Sequence, residues 1–457
     1  MLPSKGGGQV SYGVERKIDP SDVLLPDGYE IEVITAGLTF PTGITFDEAG
    51  VPYVVESGYS YGEEFLTPQL LRLEADGKQT LIAAGGKNGP WNGVTYHDDY
   101  FYVSEGGQLE GGKILKISKA GEVQTLVEDL PSFGDHHTNG PAIKGGFVYF
   151  GQGTATNSGI VGEDNAQFGW LPRKQEFHDI PCESITVNAE NFVTSNVLTQ
   201  AEKDKAVTGP YSSFNATVEQ GQVISGALPC SGAIMRVPVD GGDLELVAWG
   251  LRNPYGLAFS SAGALYVTEN SYDVRGSRPI WGTGDVLWKI EQGKWYGWPD
   301  YNAGIPIANF KAPGEDQPKQ LLAEHPGEPP NPVAVFGVHS SSNGIAFSNA
   351  NFGHTGAVFV AQFGDMAPDV GKVISPVGYK VVKVSIANGV IEDFVVNKGK
   401  KGGPASWLES GGIERPVAVQ FSPEGDLYIV DFGILTMSKN GADPHQKTGV
   451  IWKVTRK

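Results

Sequence analysis

The sequence predicts an all-β fold, a six-bladed β-propeller of four-stranded antiparallel blades, with the ring closed by the N-terminal strand. Three observations carry this reading: an excess of glycine and proline, a strand–turn–strand unit that recurs six times, and a final unit that is one strand short. Glycine supplies 63 of 457 residues and proline 30. That is roughly twice the usual ~7% for glycine, with no collagen-like period, as many short strands joined by tight turns require.

The recurring unit is a polar or proline-bearing loop, a Gly-apolar-x-aromatic strand, a turn and a Tyr-Val-type strand. It reads PTGITFDEAGVPYVVESG from Pro41, PWNGVTYHDDYFYVSEGG from Pro90, NGPAIKGGFVYFGQGT from Asn139, NPYGLAFSSAGALYVTEN from Asn253, SNGIAFSNANFGHTGAVFVAQFG from Ser342 and RPVAVQFSPEGDLYIVDFG from Arg415. Third strands give the same count: QLLRLEADG from Gln69, KILKISKAG from Lys113, AIMRVPVDGG from Ala233, DVLWKIEQG from Asp285, KVVKVSIANG from Lys380 and GVIWKVTRK from Gly449. Period-2 alternation marks half-buried strands whose faces are covered only when neighbouring blades stack on them. The last copy ends at its third strand, and YEIEVITAGL from Tyr29 has the right pattern to supply the fourth. Pairing the two chain ends removes exposed sheet edges.

The single propeller is read over 1–457, with a long insertion at about 156–229 and loop insertions at about 270–284 and 302–335. Long loops on a propeller act as walls or lids of a site. Cys182 and Cys230, the only cysteines, bracket the largest insertion, either as one disulfide or as two core thiols.

Net charge of −18 repels phosphate backbones and excludes nucleic acid as a partner. No apolar run reaches the ~18 residues of a membrane span. The opening MLPSKGGGQVSYG has no apolar signal core. This leaves either a cytoplasmic protein or a periplasmic or secreted one whose signal is not visible here; low lysine and arginine, the cysteine pair and the resemblance given below favour export.

In a repeat fold, side chains at one position of each copy share one ring in space. The segments before the innermost strands are GLTFPTG, GKNGPWNG, FGDHHTNG, GLRNPYG, GVHSSSNG and GIERPVA. His136, His137, Arg252, His339 and Arg415 are therefore expected to converge with Lys87 or Asn88 at the axis. Like charges gathered this way call for an anionic ligand. Arginine and lysine clamp carboxylates or phosphates, and a histidine among them can act as a general base. Of the mouth aromatics Trp91, Tyr255, Trp281, Trp295, Tyr296 and Trp298, most read as core or loop anchors, with Trp281 the best stacking surface for a flat ligand.

A second cluster lies in VTENSYDVRGSRPIWGTGDVLWKIEQGKWYGWPDY from Val267. Glu269, Asp273, Asp285 and Asp300 either surround a hard cation such as Ca²⁺ or pair with Arg252, Arg275 and Arg278.

GLRNPYGLAF, YGWPDY, DHHTNG with GGFVYFGQGTATNSG, and GVHSSSNGIAF resemble the soluble pyrroloquinoline quinone (PQQ) dependent sugar dehydrogenases, in their L-sorbosone dehydrogenase-like branch. The likeness spans roughly 28–457. It implies oxidation of a sugar or alcohol by PQQ over the axis, a separate electron acceptor such as a cytochrome or quinone, and Ca²⁺ beside the quinone. It places the base at His137, with His136 or Asp135 where an acidic orienting group is often found. Arg252 beside Asn253, and Arg415, become the arginine clamps, with Lys87, Lys372 or Lys380 as the lysine; Asn88, His339 and Trp281 complete the expected cofactor contacts. The metal positions fall on Asp285, Tyr296 through its backbone, and Glu269. The chain departs from the family pattern where Asp285-Val286 lacks a second carboxylate and where the glutamine after the GQG turn is replaced. Two other functions compete: a calcium-dependent lactonase-type hydrolase, which needs an axial metal, and a non-catalytic carbohydrate- or anion-binding propeller, which needs no base.

Overall fold

The computed structural model describes residues 15–58, 66–167, 169–199, 201, 203–438 and 441–457. Met1–Gly13, read above for an export signal, lies outside them. Six antiparallel sheets surround one axis, and in each the chain steps outward strand by strand. Blade 1 is Pro41–Phe46, Pro52–Glu56, Gln69–Leu73 and Gln79–Ala84; blade 2 is Trp91–His97, Tyr100–Glu105, Gly112–Ser118 and Val123–Leu130. Blade 3 is Thr138–Lys144, Phe147–Gln152, Ala233–Pro238 and Glu245–Trp249; blade 4 is Asn253–Phe259, Leu265–Asn270, Gly284–Lys289 and Ala334–Val338. Blade 5 is Ser342–Phe347, Ala357–Gln362, Lys380–Ser385 and Ile391–Asn397, extended by Val23–Leu24.

Blade 6 consists of Pro416–Phe421, Leu427–Asp431 and Gly449–Arg456, and Tyr29–Leu38 is its fourth strand. The pairing runs from Tyr29↔Arg456 to Leu38↔Gly449, so the two ends of the chain close the ring as the missing strand required. Neighbouring blades share apolar clusters, and Trp91, Trp288 and Trp452 are fully buried between them.

The inner strands approach so closely that glycine is needed in them. A Cβ on Gly93 would fall 2.0 Å from the carbonyl oxygen of Gly140 on the next blade, and one on Gly256 would fall 2.3 Å from that of Asn343. This is the physical content of the glycine repeated in five of the six copies, with Ala418 at that place in the sixth.

Each blade's first strand starts at one face of the ring, called here the mouth. Antiparallel pairing brings the connections between second and third strands, and between successive blades, to that same face. The long insertion joins the second and third strands of blade 3. It holds two short helices, Glu163–Gln167 and Trp170–Arg173, and two small hairpins, Ile185–Val187 with Gln222–Ile224 and Phe192–Ser195 with Lys205–Thr208. A disulfide joins Cys182, partway along it, to Cys230, where it returns to the third strand of the blade. No described helix is long and apolar enough to cross a membrane.

Candidate active site at the mouth of the ring

A cavity of ≈190 Å³ opens at the mouth on the axis. His136, His137, Arg252, Asn253, His339 and Asp285 line it, together with Asp135, Asp273 and Arg275. Below it the inner strands enclose a second axial space of ≈330 Å³, which shares Thr42, Asn92 and Tyr255 with the first.

Backbone packing sets the two adjacent histidines. Gly106 and Gly153 lie directly behind them, where a Cβ would meet the Cβ of His137 at 3.0 Å and that of His136 at 2.2 Å. His136 Nδ1 is 2.9 Å from the Thr154 carbonyl. A carbonyl only accepts, so Nδ1 carries the proton and Nε2 keeps its lone pair. His137 Nδ1 is 2.8 Å from Gln108 Nε2. Burial pushes the His137 pKa down to about 4, partly offset by a hydrogen bond to the Ser132 carbonyl. Burial, reinforced by Arg252 and Arg275, holds that of His136 well below the ordinary value. Both rings are therefore neutral, and basic, at pH 7. His339 sits at φ 60°, a strained backbone state of the kind that gathers at functional sites.

Asp273 is the electrostatic hub. Its Oδ2 accepts from Arg252 Nη2 at 3.0 Å and Arg275 Nε at 3.1 Å, and its Oδ1 lies 3.8 Å from His339 Nδ1. Burial alone would raise its pKa, but Arg252, Arg275 and His339 hold it below the usual carboxylate value. Arg275 also bonds Asp164 at 2.6 Å and pairs with Asp135. Arg252 is otherwise held by Asn157, through Nε to the carbonyl and Nη2 to Oδ1, both at 2.9 Å, and by the Asn270 carbonyl at 3.3 Å.

Other expected contacts lie away from the cavity. Arg415 is fully buried behind its wall, with its guanidinium 4.9 Å from the rings of both Phe363 and Tyr379 and its Nη1 3.2 Å from the Asp365 carbonyl. Phe363 itself lines the cavity, so Arg415 braces the wall. Lys87 is exposed. Asn88 is spent on the Glu105 carboxylate, the Gly111 carbonyl and the Leu109 and Glu110 amides. Trp281 is 39% exposed and outside the cavity lining. Lys372 is exposed, and Lys380 pairs with Asp393 at 2.6 Å. Of the aromatics, Tyr255 faces the cavity, and Trp170 joins it from the insertion, which the repeat pattern does not reach.

The expected metal set does not assemble. Tyr296 packs against Trp288 and donates its hydroxyl to the Lys289 carbonyl at 2.9 Å. Asp285 accepts from Ser271 N, Ser340 Oγ and Ser342 N at 2.9, 2.9 and 2.7 Å. Glu269 accepts from the Trp288 indole at 2.6 Å and from the Arg252 amide, and burial pushes its pKa up to about 7. Among the described residues no three His, Cys, Asp or Glu side chains are grouped to hold a metal. Two of the four acids pair with arginines instead: Asp273 as above, and Asp300 with Arg278 at 3.0 Å.

Glu269 has counterparts in every blade. Glu56, Glu105, Gln152, Glu269, Gln362 and Asp431 all end second strands opposite the start of a first strand. Each ties down its mouth: Glu56 by the Thr39 amide, Glu105 by the Trp91 indole, Gln152 by Thr138, Gln362 by Ser342 and Asp431 by the Glu414 and Arg415 amides. The role is structural and sixfold.

No protein-family model and no curated protein matches the sequence. Solved structures do. The holo PQQ domain of pyranose dehydrogenase from Coprinopsis cinerea is 16% identical, with a TM-score of 0.57 and 100% of both chains covered. PQQ-bound aldose sugar dehydrogenase from Streptomyces coelicolor is 16% identical at TM-score 0.52, covering 94% of this chain and 99% of that one. The soluble aldose sugar dehydrogenase of Escherichia coli in its apo form is 14% identical at TM-score 0.54, covering 94% and 100%. At these identities the likeness is one of architecture, and over nearly its whole length this chain has the propeller fold of the soluble sugar dehydrogenases.

Proposed function

We propose that this chain is a PQQ-dependent oxidoreductase acting on the hydroxyl or aldehyde-hydrate carbon of an aldose or related sugar, with a histidine as general base. The observation that carries this reading is the axial cavity, where two buried neutral histidines share one wall with two arginines. A module that only binds has no need of a base held in its deprotonated form. The solved structures with the same ring support it, since two of them are described as PQQ-containing sugar dehydrogenases.

The residues fit a flat polycarboxylate. Arg252 and Arg275 bring two cations, balanced within the protein by Asp135, Asp164 and Asp273; Asn92, Asn139, Asn253 and Asn270 supply a fringe of amides, and buried Asn343 Oδ1 on the cavity wall has no hydrogen-bond partner in the protein. PQQ, when bound, supplies an electrophilic carbonyl carbon that accepts hydride. Arg252 and Asn253 are its expected anchors and His339 a further contact. His136, its Nδ1–H fixed on the Thr154 carbonyl, keeps its Nε2 lone pair and takes the proton from the substrate hydroxyl. His137, expected as the base, accepts the Gln108 NH₂ at Nδ1 and so carries its own proton on Nε2, which leaves it a positioning partner beside His136. No three acidic or metal-binding side chains among the described residues are grouped for Ca²⁺, so no role is assigned to it.

Electrons leave to a separate acceptor, a cytochrome or a quinone, since the chain has no CxxCH haem attachment motif. The Cys182–Cys230 disulfide suits an oxidising compartment and supports a periplasmic or secreted location.

The test is to titrate apoprotein with PQQ while following tryptophan fluorescence, then to add a panel of aldoses with a redox dye. Saturable uptake followed by sugar-dependent dye reduction is expected. Absence of PQQ uptake overturns the reading, and uptake without any turnover reduces the protein to a binding module.

A further inference from the structure

The arginine expected to clamp a ligand carboxylate already holds a carboxylate of the protein. Arg252 is 2% exposed and every one of its side-chain nitrogens has a protein acceptor. Three of those acceptors are neutral amide oxygens, from Asn157 and Asn270. The fourth, Asp273 Oδ2 on Nη2 at 3.0 Å, is the one charged partner among them, and it faces the cavity.

We propose that Asp273 is an internal stand-in for a ligand carboxylate on Arg252, which the ligand must displace and which thereby lowers the site's affinity for anions. The proposal rests on the reading of the cavity as a PQQ site.

Two features make the exchange workable. Asp273 does not depend on Arg252, because Arg275 Nε holds the same Oδ2 at 3.1 Å and His339 lies beside Oδ1. When it yields Arg252 it keeps a cation, and no buried carboxylate is left unpaired. Its backbone is also fixed independently: the Asp273 amide donates to Asn157 Oδ1 at 2.9 Å and its carbonyl accepts from Asn157 Nδ2 at 2.9 Å. Only the side chain has to move.

The alternative is that the acids around the cavity act only through total charge. Asp164 separates the two explanations. It pairs with Arg275 at 2.6 Å within the same network, yet makes no bond to Arg252 and lies outside the cavity lining.

The experiment is a PQQ titration of apoprotein, followed by tryptophan quenching, for the wild type, Asp273→Asn and Asp164→Asn, with thermal unfolding run on each. Asp273→Ser replaces the asparagine variant if that one does not accumulate folded. Asp273→Asn is expected to bind PQQ about tenfold tighter, the size of one charge-assisted hydrogen bond released for the ligand, with Asp164→Asn within about threefold of wild type. Wild-type binding that is unchanged or weakened in Asp273→Asn overturns the proposal and leaves the PQQ reading intact. Equal tightening in both variants also overturns it, in favour of total charge. If no form binds PQQ, the underlying reading fails and the proposal falls with it.

Discussion

His137 Nδ1 and Gln108 Nε2 meet at 2.8 Å, and the same amide nitrogen lies 3.2 Å and 3.3 Å from the carbonyls of Ser132 and Gly134. Carbonyls require a donor, so the amide is oriented with its NH₂ toward the imidazole. The group that orients the histidine is thus an uncharged amide, where an acid was expected at His136 or Asp135. A carboxylate there would favour the imidazolium; the amide leaves burial to dominate, and the pKa falls to about 4. His137 is accordingly expected to titrate near pH 4, while His136, held well below the ordinary histidine value, keeps kcat/KM of the PQQ-loaded protein from falling until pH is well below ~6.5. Gln108→Glu places a carboxylate beside His137 Nδ1 and should raise that ring's pKa toward the ordinary histidine value of ~6.5. Imidazole NMR titration checks the shift and a pH–rate profile checks the limb; a limb that follows His137 upward in Gln108→Glu would restore His137 as the base.

Arg415 was expected at the mouth and instead supports it from behind, between Phe363 and Tyr379. Replacing it with methionine removes two cation–π contacts and leaves the carbonyls of Phe363, Gly364 and Asp365 without their shared donor. A loss of about 2–4 kcal/mol is expected, read from urea unfolding. Cofactor affinity should fall less than in Arg252→Met, since Arg415 reaches the cavity through Phe363 and Gly364 and does not line it itself. A larger fall in Arg415→Met would make it a direct ligand.

How much of this was legible in the sequence follows from where each residue stands in the repeat. His136, His137, Arg252, Asn253 and His339 occupy neighbouring positions of the same loop in three successive copies, so a closed ring had to bring them together. Arg415 shares that position and still turns away, because a repeat register fixes the loop and not the side chain's direction. Glu269 could have been recognised as structural: VPYVVE, YFYVSE, FVYFGQ, LYVTE, VFVAQ and LYIVD all end in an acid or its amide, and a feature present in six blades is not a unique metal site. Gln108 and Asp273 lie in connections between second and third strands. Those loops differ in length from blade to blade, so no register predicts what they place at the axis. Trp170 and Asn157 come from an insertion that has no counterpart in the other blades.

Asp179 provides a test of burial against ionisation. It accepts from the Ala155 amide at 2.6 Å and the Thr156 hydroxyl at 2.5 Å, and it is almost fully buried. Burial raises its pKa to about 7, these two bonds opposing the rise only in part. A raised folded value means that the folded state binds the proton more tightly than the unfolded chain does. The associated stability is therefore complete below the unfolded value of ~3.9 and is lost as pH rises through about 7. Asparagine imitates the protonated acid at every pH. Asp179→Asn is expected to raise Tm relative to wild type at pH 8.5, with the difference shrinking toward pH 5. A difference independent of pH would show that the carboxyl does not titrate across this range.

The disulfide ties the part of the insertion after Cys182 back to blade 3, while the part before Cys182 reaches the site. Cys182 and Cys230 are 48 residues apart in sequence, and the insertion that holds them also contributes Asn157 to Arg252, Asp164 to Arg275 and Trp170 to the cavity wall. Opening the bond frees the unfolded chain and should cost about 2–4 kcal/mol. The ring has its own closure through Tyr29–Leu38 and Gly449–Arg456, so the far-ultraviolet dichroism of the blades should persist. If the insertion holds the arginines in place, the double variant Cys182→Ser/Cys230→Ser will bind PQQ about tenfold more weakly while remaining folded at 25 °C. Undiminished affinity in a variant whose Tm has fallen would mean that the blade core, and not the cross-link, fixes Asn157 and Asp164 against the arginines.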